Sequence, residues 1–279
     1  LAPGTQAAAS PRSPESGPLK WWKVLLLCLA TLLLACVLLV WFAPARWVAP
    51  WLNARMHGAM LRDVEGSVWH GDAGALVAAD GTVLGRLHWT LSRGTLLGRP
   101  SGHLALEGPV LEARGDFLRA GDTMHWSNVQ LLVALDRLAP PPSTPWGRPL
   151  GSVRADLAQL ALRGGWPVSL DGQMHWQAAA MAVQGHHVAL GDLAATISAR
   201  EGVVQARLRD DGQGPLRLDG RVQASPLGWR LDAELAPRGD DPDLRLWLAR
   251  LGPPDAQGVV HLQRGAGLGA VPSSTGVSR

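Results

Sequence analysis

The chain has 279 residues, 47% of them hydrophobic, which is enough for one large domain or two small ones with a packed core. Its 33 glycines and 21 prolines are spread along the sequence, and this composition favours short strands joined by turns over long helices. The formal net charge is only +3, and the 236 residues after position 43 contain 23 basic and 22 acidic side chains, which are interspersed. Because a nucleic-acid-binding protein concentrates its basic groups on one face, we exclude nucleic acid as a partner.

The first apolar segment, Val24–Ala43, predicts a single transmembrane helix. It has 20 residues and no charge, and a helix of that length spans about 30 Å, the hydrocarbon thickness of a bilayer. The alternative is a cleaved signal peptide, but the run exceeds the ~7–15 apolar residues of a signal core and no small-residue cleavage site follows closely. We therefore predict a span over 20–43 and a disordered cytoplasmic tail over 1–19. Tryptophans flank the run on both sides, as in the aromatic belts of a membrane protein: Trp21, Trp22, Trp41, Trp47 and Trp51.

The orientation of this span rests on the basic residues beside it. Three basic residues precede it and three follow it closely, but Lys20 and Lys23 lie nearest the lipid. The positive-inside rule then favours a cytoplasmic N-terminus and an exported body. Both cysteines, Cys28 and Cys36, fall within the span, so the body must be stable without disulfides.

After the span, the hydrophobic period changes from helical to alternating. Residues 49–61 have helical spacing and predict a short juxtamembrane helix. The Asp80-Gly81 pair predicts a hairpin turn. Alternating apolar and polar residues predict half-buried strands at positions 85–91, 127–136, 216–224, 228–236 and 258–263. The fold class is therefore mainly β with few short helices.

A proline-rich segment, Leu138–Pro149, divides the body. Its five prolines exclude a central strand or a helix interior, so we predict a linker over 139–150 between two similar β-rich halves, 44–138 and 151–264. In the second half, one amphipathic helix is expected, capped by Asp241 or Asp243 and stopped by Gly252, with a buried stripe of Leu244, Trp247, Leu248 and Leu251. Residues 265–279 are expected to form a disordered tail.

Nine histidines and several His-Trp pairs raise the possibility of a metal or catalytic site. In "VEGSVWHGD" (64–72), alternation puts Trp69 and His70 on opposite faces of a strand, so that Trp69 is a core residue and His70 need not bind anything. The same alternation places His88, His125 and His175 toward solvent. No compact zinc signature or nucleophile motif occurs. We therefore predict no catalytic, cofactor-binding or metal-binding residues, no cofactor, no small-molecule substrate and no enzymatic activity, and we expect an interaction role, for which strand addition to the sheet is one route.

The order of the motifs resembles the type II secretion system protein N family (GspN) of Gram-negative bacteria. A single span is followed by "VEGSVWHGDAGAL" and "GTVLGRLHWTL", and the most specific elements are Gly-x-Val-Trp-x-Gly at 66–71 and Leu-Gly-x-Leu-x-Trp at 84–89. The resemblance covers roughly residues 20–264 and both tails fall outside it.

The resemblance implies a single-pass inner-membrane protein with its C-terminal body in the periplasm. Its implied partners are the other inner-membrane subunits of the secretion system and the secretin, and its implied role is to support protein export across the outer membrane. Two other hypotheses stay open at this stage. One is an AsmA-like periplasmic lipid-binding protein, which the β-sheet pattern distantly resembles, and the other is a histidine metalloenzyme.

Overall fold

The computed structural model describes residues 19–56, 58–138 and 144–267. The chain has two compact units, Leu1–Ala43 and Pro44–Arg279. The first contains one helix, α1 (Leu19–Trp41). Within the described ranges, no helix meets the length and hydropathy needed to cross a membrane. The tails predicted to be disordered lie largely outside the described residues, which end at Gly267.

The second unit is mainly β, as predicted, and its strands form one antiparallel sheet in which strand order follows chain order. Two α-helices accompany the sheet: α2 (Ala45–Arg55) and α3 (Pro242–Leu251), and two 3₁₀ turns lie at Arg93–Leu97 and Leu135–Arg137. The strands are β1 (Met60–Gly66), β2 (His70–Val77), β3 (Val83–Leu91), β4 (Ser101–Glu107), β5 (Leu111–Ala120), β6 (Thr123–Ala134), β7 (Arg148–Arg163), β8 (Trp166–Val183), β9 (His186–Arg200), β10 (Val203–Asp210), β11 (Leu216–Ser225), β12 (Gly228–Pro237) and β13 (Val260–Gly267).

The strand registers place apolar residues opposite one another across the whole sheet. One row runs directly from strand to strand and contributes one residue from each of the thirteen, all of them apolar or glycine. We call the sheet face that carries this row the apolar face. The row consists of Val64, Ala73, Leu87, Leu106, Ala113, Leu131, Ala155, Met174, Ala195, Leu208, Gly220, Ala233 and Leu262.

The next row lies on the opposite side, which we call the polar face. Because successive side chains in a strand point to opposite faces, this row contains the chain neighbours of the first one. Twelve of its thirteen members are polar or charged, and Ala105 is the exception. The row consists of Glu65, Asp72, His88, Ala105, Arg114, Gln130, Asp156, Gln173, Thr196, Arg207, Arg221, Asp232 and Gln263.

Helix α3 forms as the sequence predicted. Asp241 caps it by accepting hydrogen bonds from the Asp243 and Leu244 backbone N–H groups, and the helix stops at Gly252. Its buried residues are the four of the predicted stripe, Leu244, Trp247, Leu248 and Leu251. They pack into the main hydrophobic cluster with residues of β8, β9, β11, β12 and β13. The apolar face is therefore covered at this place by an amphipathic helix.

Several predicted boundaries are wrong. The juxtamembrane helix begins at Ala45, directly after Pro44, and ends at Arg55, so that the last residues assigned to it belong to β1 instead. Residues 148–150, assigned to the linker, open β7. The β6–β7 pairing joins the strands on both sides of the proline-rich segment into one sheet. Residues 265–267, assigned to the tail, extend β13, because pairing with β12 continues to Gly267.

Candidate interaction surface

The "VEGSVWHGD" stretch forms the β1–β2 hairpin. Trp69 lies in the connecting loop rather than in a strand, which corrects the prediction, but it is buried with 5% of its surface exposed. The Trp69 carbonyl accepts a hydrogen bond from Leu91 N–H (2.7 Å), and the Val68 carbonyl accepts one from the Trp89 indole (3.1 Å). His70 is exposed at the start of β2. The hairpin loop is thus fastened to β3.

Two glycines make this hairpin possible. Gly66 has a φ of +78°, which L residues rarely adopt. Gly71 lies under the Trp89 ring, and a Cβ at Gly71 would be 2.5 Å from the ring atom Cζ2. The Gly-x-Val-Trp-x-Gly spacing therefore reflects packing, and it needs no ligand to explain it.

The histidines are distributed over the sheet and do not converge. His125, His175, His186 and His187 are exposed, and His88 is half-buried. His57 lies outside the described residues. Among the residues that the structure describes, no group of three or more His, Cys, Asp or Glu side chains is arranged to hold a metal ion.

Two histidines form cross-strand pairs that the sequence did not predict. His103 Nδ1 is 2.8 Å from Asp116 Oδ1, and the Asn128 amide donates to the other oxygen of the same carboxylate (3.2 Å). The His103 hydrogen bond, with that of Asn128, lowers the pKa of Asp116 below its usual value. On β13, His261 lies opposite Glu234 of β12, with 3.8 Å between His261 Nδ1 and Glu234 Oε1. His261 Nε2 is also 3.0 Å from Oδ2 of Asp255, which lies in the loop before β13. The pairs of His103 with Asp116 and of His261 with Glu234 depend on strand register, which no local sequence signal reveals.

An open apolar cavity of about 390 Å³ lies between α3 and the apolar face. Strand residues such as Met174, Leu208 and Leu231 line one side, and Trp247 and Leu251 of α3 line another. Among the described residues, its lining is apolar except for Thr144.

Three side chains that line this cavity donate hydrogen bonds to backbone carbonyls. The Thr144 hydroxyl donates to Gly147 (2.7 Å). The Trp176 indole donates to Leu150 (2.8 Å), and the Trp247 indole donates to Trp146 (2.9 Å). The cavity therefore offers hydrocarbon surface to an occupant.

The two edges of the sheet differ. At β1, the Asn53 side chain of α2 accepts a hydrogen bond from Leu61 N–H (2.9 Å) and donates to the Leu61 carbonyl (3.3 Å). Asn53 thus pairs with β1 in the way a neighbouring strand would. β13 is the other edge strand, and in the described part of the chain its outer side carries one isolated bridge, between Pro254 and Val260.

Comparison with known proteins identifies the family. Neither a search of the curated proteins nor a search of the solved structures found a match. The model of the family described as "Type II secretion system (T2SS), protein N" matches residues 57–263. This range begins before β1 and ends within β13, so it includes nearly the whole sheet, both glycines of the β1–β2 hairpin and the apolar row. The chain belongs to the type II secretion system protein N family.

Proposed function

We propose that the protein is a single-pass inner-membrane component of the type II secretion system. Its N-terminus lies in the cytoplasm and its β-sheet body lies in the periplasm, where it supports export across the outer membrane through contacts with other secretion subunits. The role is structural and not enzymatic. The family match over 57–263 carries this proposal.

The membrane placement is supported by the composition of the N-terminal unit. The 20 residues from Val24 to Ala43 include no charge. Leucines of α1 expose large apolar surfaces, for example Leu27 (69%) and Leu33 (64%). A helix with apolar side chains of this size exposed around it is typical of a lipid-facing helix.

A reporter fusion tests this topology. We expect alkaline phosphatase fused after Met60 to be active, because it would be exported, and the same reporter fused after Lys23 to be inactive. The Lys23 fusion lacks the span and serves as the control that is not exported. An inactive Met60 fusion that accumulates to the same level would contradict the proposed orientation.

The protein contact that we propose is strand addition at β13. The Arg238 N–H donates to the Pro215 carbonyl (2.7 Å), which shows that the even-numbered residues of β12 hydrogen-bond to β11. The odd-numbered residues of β12 hydrogen-bond to β13, where they lie opposite even-numbered residues. Since antiparallel pairs alternate, the even-numbered residues of β13 bond to β12 and the odd-numbered residues direct their backbone groups outward. The Gln263 N–H and the Gly265 N–H and C=O groups are therefore directed to a partner strand, while the Gln263 carbonyl accepts a hydrogen bond from the Arg264 side chain (3.2 Å).

A strain that lacks the chromosomal gene tests both the secretion role and the edge. We expect deletion to reduce export of secreted enzymes and the wild-type gene to restore it. Gln263→Pro removes the outward N–H and should fail to restore export, although proline is tolerated in an edge strand. Gln263→Ala keeps the N–H and is the matched control.

The outcomes separate the two parts of the proposal. Unchanged export and intact secretion complexes in the deletion strain would contradict the secretion role itself. Restoration by both Gln263 variants would leave the secretion role standing but would contradict strand addition at β13.

A further inference from the structure

We propose that the cavity between α3 and the apolar face is a binding site for an acyl chain of a membrane phospholipid. This inference goes beyond the secretion role. The choice of phospholipid as the source rests on the proposed inner-membrane placement, whereas the site for a hydrocarbon chain does not.

The site is part of a continuous apolar surface. The apolar row passes through the cavity at Met174, Ala195, Leu208 and Ala233. It then continues without a polar residue through β7 to β1. With strands ~4.8 Å apart, the thirteen positions extend over roughly 57 Å along the sheet.

Part of this surface is only half-buried, although Leu106 and Ala155 of the row are buried. Leu87, Leu131, Met174 and Leu208 retain intermediate exposure, although each lies on the apolar face. The described helix α3 packs against β9, β12 and β13, which leaves the row on β3–β7 beyond its reach. A soluble domain normally covers a contiguous apolar surface of this extent, and an uncovered one marks an interaction site.

The chemistry of the lining favours a hydrocarbon chain over a polypeptide. A peptide brings a backbone N–H and C=O with every residue, and each of these groups costs free energy if it is buried without a hydrogen-bond partner. The cavity lies on the face of a sheet, so the backbone groups beneath it bond within the ladders. Since Thr144, Trp176 and Trp247 donate to backbone carbonyls, the lining has few groups with which to satisfy a peptide. An acyl chain has no polar group along its length and needs no hydrogen-bond partner.

The distribution of charge supports the same occupant. Charged side chains of β10–β12, such as Arg207, Arg221 and Asp232, lie on the polar face, and the part of the cavity lining that the structure describes contains no charged residue. A charged ligand group would therefore be desolvated in the cavity without compensation. The headgroup of the lipid must remain outside, and the chain alone enters.

Site-specific photo-crosslinking in living cells tests the proposal with the full-length protein. The photoreactive residue p-benzoylphenylalanine is placed at Leu208, inside the cavity, or at Gln205, on the polar face of the same strand. We expect irradiation of the Leu208 variant to give an adduct that is heavier by the mass of a phospholipid, and the Gln205 variant to give none. The identification is made by intact-protein mass spectrometry.

Three results would overturn the proposal. They are the absence of an adduct at Leu208, an adduct with a protein or with a lipid of another class, and equal lipid labelling at both positions. Because the readout is the mass of the adduct, it does not depend on whether export requires the protein.

A charge placed in the cavity gives a second measurement. With the photoreactive residue at Met174, Leu208→Glu should reduce lipid labelling at least about tenfold, since an unpaired carboxylate in an apolar site costs more than 1.4 kcal/mol. Gln205→Glu adds the same charge on the polar face and should leave labelling unchanged. Equal labelling in the two variants would contradict the site. Should Leu208→Glu fail to accumulate, the milder Leu208→Gln replaces it, with the same expected direction.

Discussion

Trp69 and His70 are chain neighbours with opposite environments. Trp69 is 5% exposed, although it lies in a loop, and its carbonyl holds the loop to β3. His70 is exposed, and the backbone carbonyl of His70, not its ring, accepts the Ser67 N–H (2.8 Å). The role of each residue is therefore decided by burial, and the histidine ring is not required by the hairpin.

Substitution of these two residues should separate packing from chemistry. Trp69→Ala should lower the free energy of unfolding by roughly 3 kcal/mol or more, as for other buried tryptophans. His70→Ala, the matched control in the same hairpin, should change it by less than about 0.5 kcal/mol. Urea unfolding followed by circular dichroism measures both. A large effect of His70→Ala with little effect of Trp69→Ala would reopen the question of a histidine site.

Asp210, the last residue of β10, is a nearly buried carboxylate with three hydrogen-bonding partners. Its side chain is 8% exposed and forms an ion pair with Arg238. It also accepts hydrogen bonds from the Leu218 N–H (2.7 Å) and the Gly212 N–H (2.8 Å). Burial acts to raise the pKa of Asp210, but these hydrogen bonds and the Arg238 charge outweigh it and lower the pKa below 3.8. The ionised form is therefore favoured by folding.

This lowered pKa predicts an acid-dependent loss of stability. The contribution of Asp210 is fully present above pH 3.8, the unfolded value, and is lost as the pH falls through the lower pKa of the folded state. Asp210→Asn should cost about 1–3 kcal/mol at pH 7, because it removes the charge and disturbs the bonded groups. The difference from wild type should shrink below pH 3.8.

The control for this prediction is Asp219→Asn. Asp219 pairs with Arg207 at 3.5 Å and is 55% exposed, so its pair contributes little. Urea titrations at pH 7 and at pH 3 provide the comparison. A difference between wild type and Asp210→Asn that stays constant across this range would contradict the pKa argument.

At the scale of elements, bulges in the central strands decide where the helix packs. Ala178 has a φ of +48° in β8, and its N–H donates to the Asp192 carboxylate (2.7 Å). The pairing with β9 shifts its register between Trp176 and Ala179. Beyond the shift, strict alternation ends: Ala179, Ala180 and Met181 are all buried, and Ala179 and Met181 belong to the hydrophobic cluster that includes α3. The bulge thus marks the boundary between the helix-covered part of β8 and the open apolar face.

Glycine at the bulge should stabilise the protein. Ala178→Gly relieves the left-handed conformation, which costs a residue with a Cβ roughly 1 kcal/mol, and the melting temperature should rise accordingly. Ala189→Gly, at an exposed position of the paired strand β9, should instead destabilise by about 0.5–1 kcal/mol. If both substitutions destabilise equally, the bulge is not strained.

At the scale of the whole sheet, contacts connect each strand mainly to its neighbours in the chain. The main hydrophobic cluster lies on β8, β9 and β11–β13 with α3, while β1–β4 contribute no residue to it. In such nearest-neighbour architectures, stability is a sum of local terms, so the two ends need not open together.

Hydrogen exchange should therefore show a gradient along the sheet. We expect amide protection to be highest in β8, β9 and β12 and lower in β1–β4, as measured by mass spectrometry of the detergent-solubilised protein. Uniform protection across the sheet would indicate a single cooperative unit. Protection highest at β1–β4 would contradict the assignment of the core.

Some features followed directly from local sequence. The stripe from Leu244 to Leu251 and the stop at Gly252 predict α3, because period and stop signals lie within a dozen residues, and only the choice of cap between Asp241 and Asp243 stayed open. The alternation of β3, β11 and β12 was equally readable, since a strand shows its two faces in its own sequence. The sequence by itself therefore determined the fold class, the helix that covers the sheet and the family resemblance.

Only the tertiary structure decided how these elements meet. Register is a relation between strands, and a shift by one residue moves every side chain to the other face. No single strand could therefore reveal the thirteen-residue apolar row or the pairing of His103 with Asp116. For the same reason the sequence predicts that the proline-rich segment separates two halves, whereas in the structure β7 begins at Arg148 and pairs with β6 in one sheet. The sequence determined which residues are apolar, and the tertiary structure decided that they form one continuous surface, because hydrogen-bonded register brings together positions far apart in the chain.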